Sequence, residues 1–265
     1  MTWTTYNPGL IVFLIDQSGS MKNSITSGMS RSVLLVKIID SILDDLIAFC
    51  QRGVDIRNKF KCIIIGYSDN AEVCYKNDAI SIERDLCNGG AILKAKESGF
   101  TNMEDAFKKA ASEIKAWKVV QQGKGFSIPS PRVINITDGL PEMKGIPICE
   151  AMKKTAYAAR ELMEIQADDG NVILSNILIN STIDLRQQTD DNESNIGYKD
   201  FWSRISSETN DYLMNVASYE ASFLLNNQLF LCTEDRDCIF KFVSLLIAEC
   251  FHCCVVPPDI VDNSN

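Results

Sequence analysis

The sequence predicts an α/β protein with a mostly parallel central sheet and helices on both faces. Short apolar segments alternate along the chain with longer segments of helical periodicity. The first apolar segment is continuous, which is typical of a strand buried on both faces. Of the 265 residues, 46% are apolar, which is enough for a sizeable core. Because strands that alternate with helices form βαβ units, we expect a mostly parallel sheet covered on both faces, in one domain.

The first half of the chain contains three predicted strands and two predicted helices. Residues Leu10 to Ile15 (LIVFLI) follow Pro8-Gly9 and form the predicted central strand. Apolar residues recur at three- and four-residue spacing from Ser30 to Gln51, which predicts a long amphipathic helix. The other predicted elements are strands at Lys61 to Tyr67 and Ala71 to Tyr75, and a helix marked by apolar residues from Met103 to Trp117. Residues 76–100 show no strong period.

The second half continues the alternation of strands and helices. We predict strands at Arg132 to Thr137, Asn171 to Asn180 and Gln228 to Cys232, and helices at Ile148 to Gln166, Tyr198 to Leu225 and Asp237 to Phe251. Residues 181–197 are polar and are predicted to form a loop, and residues 255–265 a short tail. No repeat or linker divides the chain, so we predict one domain over 1–265 with its core at about 8–252.

Charge and composition exclude several classes of partner and site. The net charge of -9 is the wrong sign for a surface devoted to nucleic acid or anionic lipid. His252 is the single histidine, so a metal site built from several histidines is excluded. No stretch approaches about 18 apolar residues, so we expect no membrane-spanning helix. The first eight residues lack the basic region of a secretion signal, and we therefore expect a cytoplasmic protein whose ten cysteines are mostly free thiols.

Two further clusters have alternative interpretations. Cys250, His252, Cys253 and Cys254 could form a thiolate zinc site, but a second Cys-x-x-Cys pair is absent, and cysteines at the end of a helix are the favoured interpretation. The acidic run from Asp190 to Glu193 lacks the glycine turn and the distant glutamate of a calcium-binding loop. A solvated loop is the favoured interpretation there.

Oxygen-bearing side chains follow the predicted central strand. Asp16, Ser18 and Ser20 alternate along the loop after it, and in an extended loop they can face one point. Taken alone, these are ordinary turn residues. Thr101 with Glu104 has the T-x-x-E form of a helix capping box, and Asp138 precedes a glycine in a common turn signal. Each residue by itself therefore has a structural explanation.

The combined position of these residues favours a metal site. Asp16 and Asp138 both follow apolar strands, and ligands of open α/β sheets bind in the crevice at the carboxyl ends of the strands. Two carboxylates and three hydroxyls, without Cys or His, favour a hard cation. We therefore predict Mg²⁺, with Mn²⁺ or Ca²⁺ as substitutes, and disfavour zinc and copper.

At these residues the chain resembles the von Willebrand factor A (vWA) family. Three segments look like the parts of that family's metal-ion-dependent adhesion site (MIDAS): Asp16 to Ser20 (DQSGS), Gly99 to Asn102 (GFTN) and Ile136 to Gly139 (ITDG). The resemblance implies a Rossmann-like sheet from residue 10 to about 250. It also implies an intact site in which the cation is held, partly through water, by Asp16, Ser18, Ser20, Thr101 and Asp138. Phe100 departs from the family pattern, because many members have a small residue there.

Such a site suggests a function in protein binding. Hydroxyls and waters neutralise a cation poorly, so the metal stays electrophilic and accepts a carboxylate from a partner. We therefore predict a non-enzymatic, divalent-cation-dependent interaction module whose metal is completed by a partner Asp or Glu. The candidate partner contacts around the metal are Gln17, Met21, Lys22, Leu140 and Glu142. The resemblance also implies a setting, since stand-alone cytoplasmic members in bacteria often act with kinases, phosphatases or AAA+ ATPases.

The alternative function is an enzyme. A magnesium-dependent phosphohydrolase could use Asp16 as its nucleophile, as haloacid-dehalogenase-like enzymes use the first residue of a D-x-D pattern. Ser18 stands at the third position here, so the second carboxylate that acid–base catalysis needs is missing.

Overall fold

The computed structural model describes residues 1–89, 91–179, 198–209 and 228–251. Its strands are β1 (Gly9–Asp16), β2 (Gln51–Arg52), β3 (Asp55–Ile56), β4 (Phe60–Tyr67), β5 (Ala71–Asp78), β6 (Arg132–Thr137), β7 (Ile173–Leu178) and β8 (Phe230–Cys232). Its α-helices are α1 (Arg31–Cys50), α2 (Ala79–Cys87), α3 (Met103–Gly123), α4 (Ile148–Met163), α5 (Tyr198–Arg204) and α6 (Arg236–Ala248). Short 3₁₀ helices occupy Gly19–Lys22 and Glu249–Phe251.

Six strands form one mostly parallel sheet in the order β5-β4-β1-β6-β7-β8. β1 pairs in parallel with β4 and β6, β7 continues in parallel on β6, and β8 on β7. The edge strand β5 is antiparallel to β4, and β2 pairs with β3 in a separate two-stranded hairpin. All eight residues of β1 are buried. The predicted fold class and the central position of the first strand are therefore confirmed.

Alternate residues of the strands serve two hydrophobic cores. From β1, Ile11, Phe13 and Ile15 pack on the side of α1, α2 and α6. Leu10, Val12 and Leu14 pack on the side of α3, α4 and α5. Because neighbouring side chains of a strand point to opposite faces, a continuous apolar run in β1 is what a sheet covered on both faces requires.

Some elements differ from the prediction, and some predicted segments lie outside the described residues. Helix α2 lies within residues 76–100, where no period is visible, because only Ala79 and Ile82 of its nine residues are buried. Helix α5 occupies the start of the predicted helix Tyr198 to Leu225, and residues 210–225 lie outside the described residues. The predicted loop 181–197, the tail 255–265, the acidic run Asp190 to Glu193 and the zinc candidates His252, Cys253 and Cys254 lie outside them too.

The strand order creates a crevice at the carboxyl ends of β1 and β6. From β1 the chain passes to β4 on one side, and it later returns to β6 on the other side of β1. This reversal is the topological switch point at which open α/β sheets bind ligands. Among the described helices, none combines the length and the apolar character needed to cross a bilayer.

Candidate metal centre

Two buried aspartates meet at the switch point. Asp16 is the last residue of β1 and Asp138 follows β6, and they are 1% and 4% exposed. One carboxylate oxygen of Asp16, Oδ1, accepts a hydrogen bond from the Ser18 amide at 2.8 Å. The other, Oδ2, accepts one from the Thr137 hydroxyl at 2.6 Å. The end of β6 therefore fixes the carboxylate at the end of β1.

The serine hydroxyls connect the two strand ends. Ser18 is buried and its hydroxyl lies 3.1 Å from that of Ser20. The Ser20 hydroxyl in turn donates to Asp138 Oδ1 at 2.7 Å. Ser20 is exposed, whereas Asp16, Ser18 and Asp138 are buried. The cluster is therefore anchored in the fold and open to solvent on the Ser20 side.

Backbone hydrogen bonds bring the loop that contains Thr101 to the ends of these two strands. Its amide donates to the Glu142 carbonyl at 2.9 Å, and the Glu142 amide donates to the Thr101 carbonyl at 3.0 Å. The Gly19 amide donates to the Gly99 carbonyl at 3.1 Å, and the Ser98 amide to the Gln17 carbonyl at 2.9 Å. These bonds join the loops after β1 and β6 to the loop before α3, so the three predicted segments lie together.

Thr101 is not the cap of α3, so the capping-box interpretation is wrong. The N-cap is Asn102, whose side chain accepts a hydrogen bond from the Asp105 amide at 3.2 Å. The Thr101 side chain is 5% exposed, and its backbone is committed to the bridge with Glu142. The structural explanation that competed with a ligand role for the Thr101 hydroxyl is thereby removed.

The loop before α3 has a defined shape despite Phe100. Gly99 has a φ of +87°, and a Cβ added there would meet the Asp69 carboxylate at 3.0 Å. That carboxylate accepts a hydrogen bond from the Phe100 amide at 3.0 Å. Glycine is therefore required at 99, and Phe100 is held by its backbone while its side chain is partly exposed.

Burial makes the negative charge of Asp16 unfavourable in the absence of a cation. Desolvation raises the pKa of Asp16 to about 6, and the nearby charge of Asp138 adds to this effect. Hydrogen bonds from Thr137 and Ser18 oppose it. Burial also raises the pKa of Tyr67, and the charge of Asp16 raises it further. A bound cation would relieve this cost.

Arg31 is a site residue that the sequence analysis missed. It is the first residue of α1, and its side chain is 12% exposed. Its guanidinium Nη1 donates to Asp138 Oδ2 at 2.8 Å, and Nη2 lies 3.5 Å from Glu234 Oε1. A basic residue in the first turn opposes the helix dipole, and that mismatch is the signal that could have identified it.

The predicted partner contacts occupy different environments. Lys22 and Glu142 are exposed, and Leu140 is partly exposed. Gln17 is 6% exposed, and its side-chain amide donates to the Lys94 carbonyl at 3.4 Å. Met21 is fully buried and packs in the core on the α1 side of the sheet. In this structure Lys22, Leu140 and Glu142 present surface around the cluster.

The donor set fits a hard divalent cation. It consists of the carboxylates of Asp16 and Asp138 and three hydroxyls, which are the oxygen ligands that Mg²⁺, Mn²⁺ and Ca²⁺ take. The part of the chain that the structure describes holds no group of three or more His, Cys, Asp and Glu side chains placed for a metal. A cation here would therefore depend on the hydroxyls as much as on the carboxylates.

Solved structures share this fold at low sequence identity. The pilus adhesin SpaC from Lactobacillus rhamnosus GG matches with a TM-score of 0.58 and 13% identity, over 92% of this chain and 31% of that chain. The PilB minor pilin from Streptococcus sanguinis matches with a TM-score of 0.55 and 12% identity, over 92% and 62%. Proximal thread matrix protein 1 from the mussel byssus matches with a TM-score of 0.51 and 15% identity, over 92% and 47%.

These likenesses concern the fold. No protein-family model matches the chain, and no curated protein matches it. The chain spans 31% to 62% of the length of the three structures above. The fold implied by the resemblance to vWA domains, a mostly parallel sheet between two layers of helices, is the one the structure has.

Proposed function

We propose that this chain is a non-enzymatic protein interaction module that depends on a divalent cation. The observation that carries the proposal is that three loops meet at the switch point of the sheet and bring five oxygen-bearing residues to one place. They are Asp16, Ser18, Ser20, Thr101 and Asp138, of which the first three and Asp138 are linked by hydrogen bonds and Thr101 is placed by its backbone. Three of the five are neutral hydroxyls, and one of the two carboxylates, Asp138, is already paired with Arg31, so the set compensates a 2+ charge incompletely. We take Mg²⁺ as the first candidate, with Mn²⁺ or Ca²⁺ as substitutes.

The chemistry of binding follows from this donor set. A bound cation would supply a Lewis-acidic position that a partner Asp or Glu completes. The protein's part is to hold the two aspartates rigidly: Thr137 and Ser18 fix Asp16, and Ser20 fixes Asp138. The surface beside Ser20, with Lys22 and Glu142 exposed, is where we place the partner. That a pilus adhesin and a minor pilin share the fold supports protein contact as the general class.

We do not favour the phosphohydrolase. Both carboxylate oxygens of Asp16 accept hydrogen bonds, and the side chain is 1% exposed, which suits a positioned ligand better than a nucleophile. A general acid is also needed for ester cleavage. The other carboxylate of the cluster, Asp138, is held by Arg31 and Ser20.

We propose a reducing, cytoplasmic setting and a complex or signalling system of the bacterial kind, with a kinase, phosphatase or AAA+ ATPase as candidate partner. Cys50, Cys62 and Cys149 are free thiols, which supports a reducing compartment. The acidic composition supports a protein partner over nucleic acid or membrane. The partner's identity rests on the resemblance to the vWA family.

Calorimetric titration with Mg²⁺, followed by affinity capture from the native cell, tests the proposal. We expect wild-type protein to bind Mg²⁺ and to retain its partner in Mg²⁺ but release it in EDTA. Asp16→Ala should lose both properties, and Asp55→Ala, at an exposed position in β3, should keep both. A partner whose affinity is indifferent to EDTA and to Asp16→Ala would contradict the proposal. Steady hydrolysis of phenyl phosphate that Asp16→Ala abolishes would favour the enzyme instead.

A further inference from the structure

A second cleft lies at the opposite end of the sheet from Asp16. It has a volume of about 290 Å³ and lies between the start of β4, the end of β5 and the last turns of α3. Lys61 lies six residues before Tyr67, which pairs with Asp16, so the cleft is about 20 Å from the candidate metal centre. Its volume is close to that of the smaller ligand sites in proteins.

Three lysines line this cleft in a chain whose net charge is -9. Lys61 lies in β4, Lys76 in β5, and Lys124 is the C-cap of α3. Lys76 pairs with Glu113 at 2.6 Å. Within the described chain, Lys61 and Lys124 make no ion pair with a carboxylate. Two of the three ammonium groups are therefore available to an anion.

The acidic residue in the lining offsets only part of the charge of the three lysines. Asp78 caps α2, and its carboxylate accepts hydrogen bonds from the Ser81 amide at 3.0 Å and from Asn58 Nδ2 at 3.3 Å. Burial lowers the pKa of Lys61, and the charges of Lys76 and Lys124 lower it further, against the opposing effects of Asp78 and Glu113. Positive charge in the cleft is thus under-compensated, and a bound anion would relieve it.

The wall formed by α3 and the residues just after it is largely apolar and contains unpaired polar atoms. Trp117, Val120 and Phe126 line it, and Val120 is 54% exposed although it is a large apolar residue. In the described structure the indole Nε1 of Trp117 and Oε1 of Gln121 are buried without a hydrogen-bond partner. Both residues line the cleft, and native proteins rarely leave buried polar groups unpaired, which favours a ligand that supplies a partner there.

We propose that this cleft binds a small organic anion that joins one acid group, a phosphate or a carboxylate, to an apolar ring. The acid group lies among Lys61, Lys76 and Lys124. The ring lies against Trp117, Val120 and Phe126. This inference does not depend on the metal centre, because the two places are at opposite ends of the strands.

Nuclear magnetic resonance of the tryptophan indoles tests the proposal directly. The chain has three tryptophans, and Trp117→Phe assigns the signal of the one in the cleft. We expect phenyl phosphate or benzoate to shift the Trp117 signal saturably while the signals of Trp3 and Trp202 stay in place. The tighter of the two probes identifies the acid group. Inorganic phosphate, which lacks the ring, should bind at least about tenfold more weakly.

Matched charge variants separate this cleft from a general attraction of anions to lysine. Lys61→Gln and Lys124→Gln should each weaken the binding of the better probe about tenfold, the effect of one lost charge-assisted hydrogen bond. Lys153→Gln removes the same charge from an exposed position on α4 and should leave the affinity unchanged. The unshifted Trp3 and Trp202 signals report that each variant is folded. Absence of a saturable shift with either phenyl probe, or equal affinity in Lys61→Gln and wild type, overturns the proposal.

Discussion

Asp16 is a buried carboxylate that stability alone would not select. Raising its pKa from 3.8 to about 6 corresponds to about 3 kcal/mol against the ionised form in the folded protein. Burial is the main cause of this shift. Neutral pH lies above the raised pKa, so the group is ionised there and the cost applies. Residues that lower stability in this way are typical of functional sites.

Replacing Asp16 by asparagine should therefore stabilise the metal-free protein. An amide of the same size keeps an acceptor for the Ser18 amide and removes the buried charge. We expect the free energy of unfolding in EDTA to rise by about 1–2 kcal/mol, measured by chemical denaturation. Added Mg²⁺ should stabilise the wild type and leave Asp16→Asn unchanged. Asp55→Asn, at an exposed position, is the control, and a loss of stability in EDTA for Asp16→Asn would argue against this account.

Arg31 competes with the proposed cation for Asp138. Its guanidinium is 2.8 Å from Asp138 Oδ2 and is largely buried, so its charge is poorly screened. Arg31→Gln should therefore tighten the binding of Mg²⁺ about tenfold, which calorimetric titration measures. Arg52→Gln removes an exposed arginine in β2, beyond the far end of α1, and should not change the affinity. Weaker binding in Arg31→Gln would mean that the arginine supports the site.

At the scale of single elements, local sequence signals do not decide which residue begins α3. Thr101 and Asn102 both prefer the N-cap position, and Glu104 and Asp105 stand three residues after them. The choice is made by a distant contact, because the backbone bridge between Thr101 and Glu142 leaves Asn102 to begin the helix. No pattern within the segment contains that information.

Substitutions of Thr101 and Asn102 should have different effects, the first on metal binding and the second on stability. Thr101→Val removes a hydroxyl of the cluster but no cap, so we expect Mg²⁺ affinity to fall about tenfold with a small change in metal-free stability. Asn102→Ala removes the cap and the hydrogen bond from its side chain to the Asp69 carbonyl. It should lower the free energy of unfolding by about 1–2 kcal/mol and leave Mg²⁺ affinity near that of wild type. Calorimetry and chemical denaturation of both variants provide the check, and the reverse pattern would show that Thr101 is structural.

Elements with strong burial patterns were predictable, and weakly buried ones were not. β6 lies at the predicted residues Arg132 to Thr137, and α1 differs from its predicted range by one residue at each end, because both bury many side chains. Helix α2 and the hairpin of β2 and β3 bury few side chains, so hydrophobic periodicity is weak there. The three segments that carry the predicted metal ligands meet at the switch point, but the contact of Arg31 with Asp138 spans 107 residues and has no local pattern.

At the scale of the whole molecule, the two proposed sites lie at opposite ends of one sheet. The carboxyl ends of β1 and β6 gather carboxylates and hydroxyls, and the amino end of β4 with the end of β5 gathers lysines. The acid cluster was predictable because strand ends in a parallel sheet point the same way. The lysine cleft was not, since Lys61, Lys76 and Lys124 meet through the antiparallel edge strand β5 and the far end of α3.

This separation predicts that the two ligands bind independently. Sites about 20 Å apart without shared side chains usually show additive free energies, to within about 0.5 kcal/mol. Mg²⁺ and phenyl phosphate should therefore each raise the free energy of unfolding by the same amount whether or not the other is present, which denaturation in the four combinations measures. Lys61→Gln in the same four conditions reports any association of Mg²⁺ with phenyl phosphate in solution. A larger coupling that disappears in Lys61→Gln and in Asp16→Asn would instead mean that the strands between the two ends transmit binding from one site to the other.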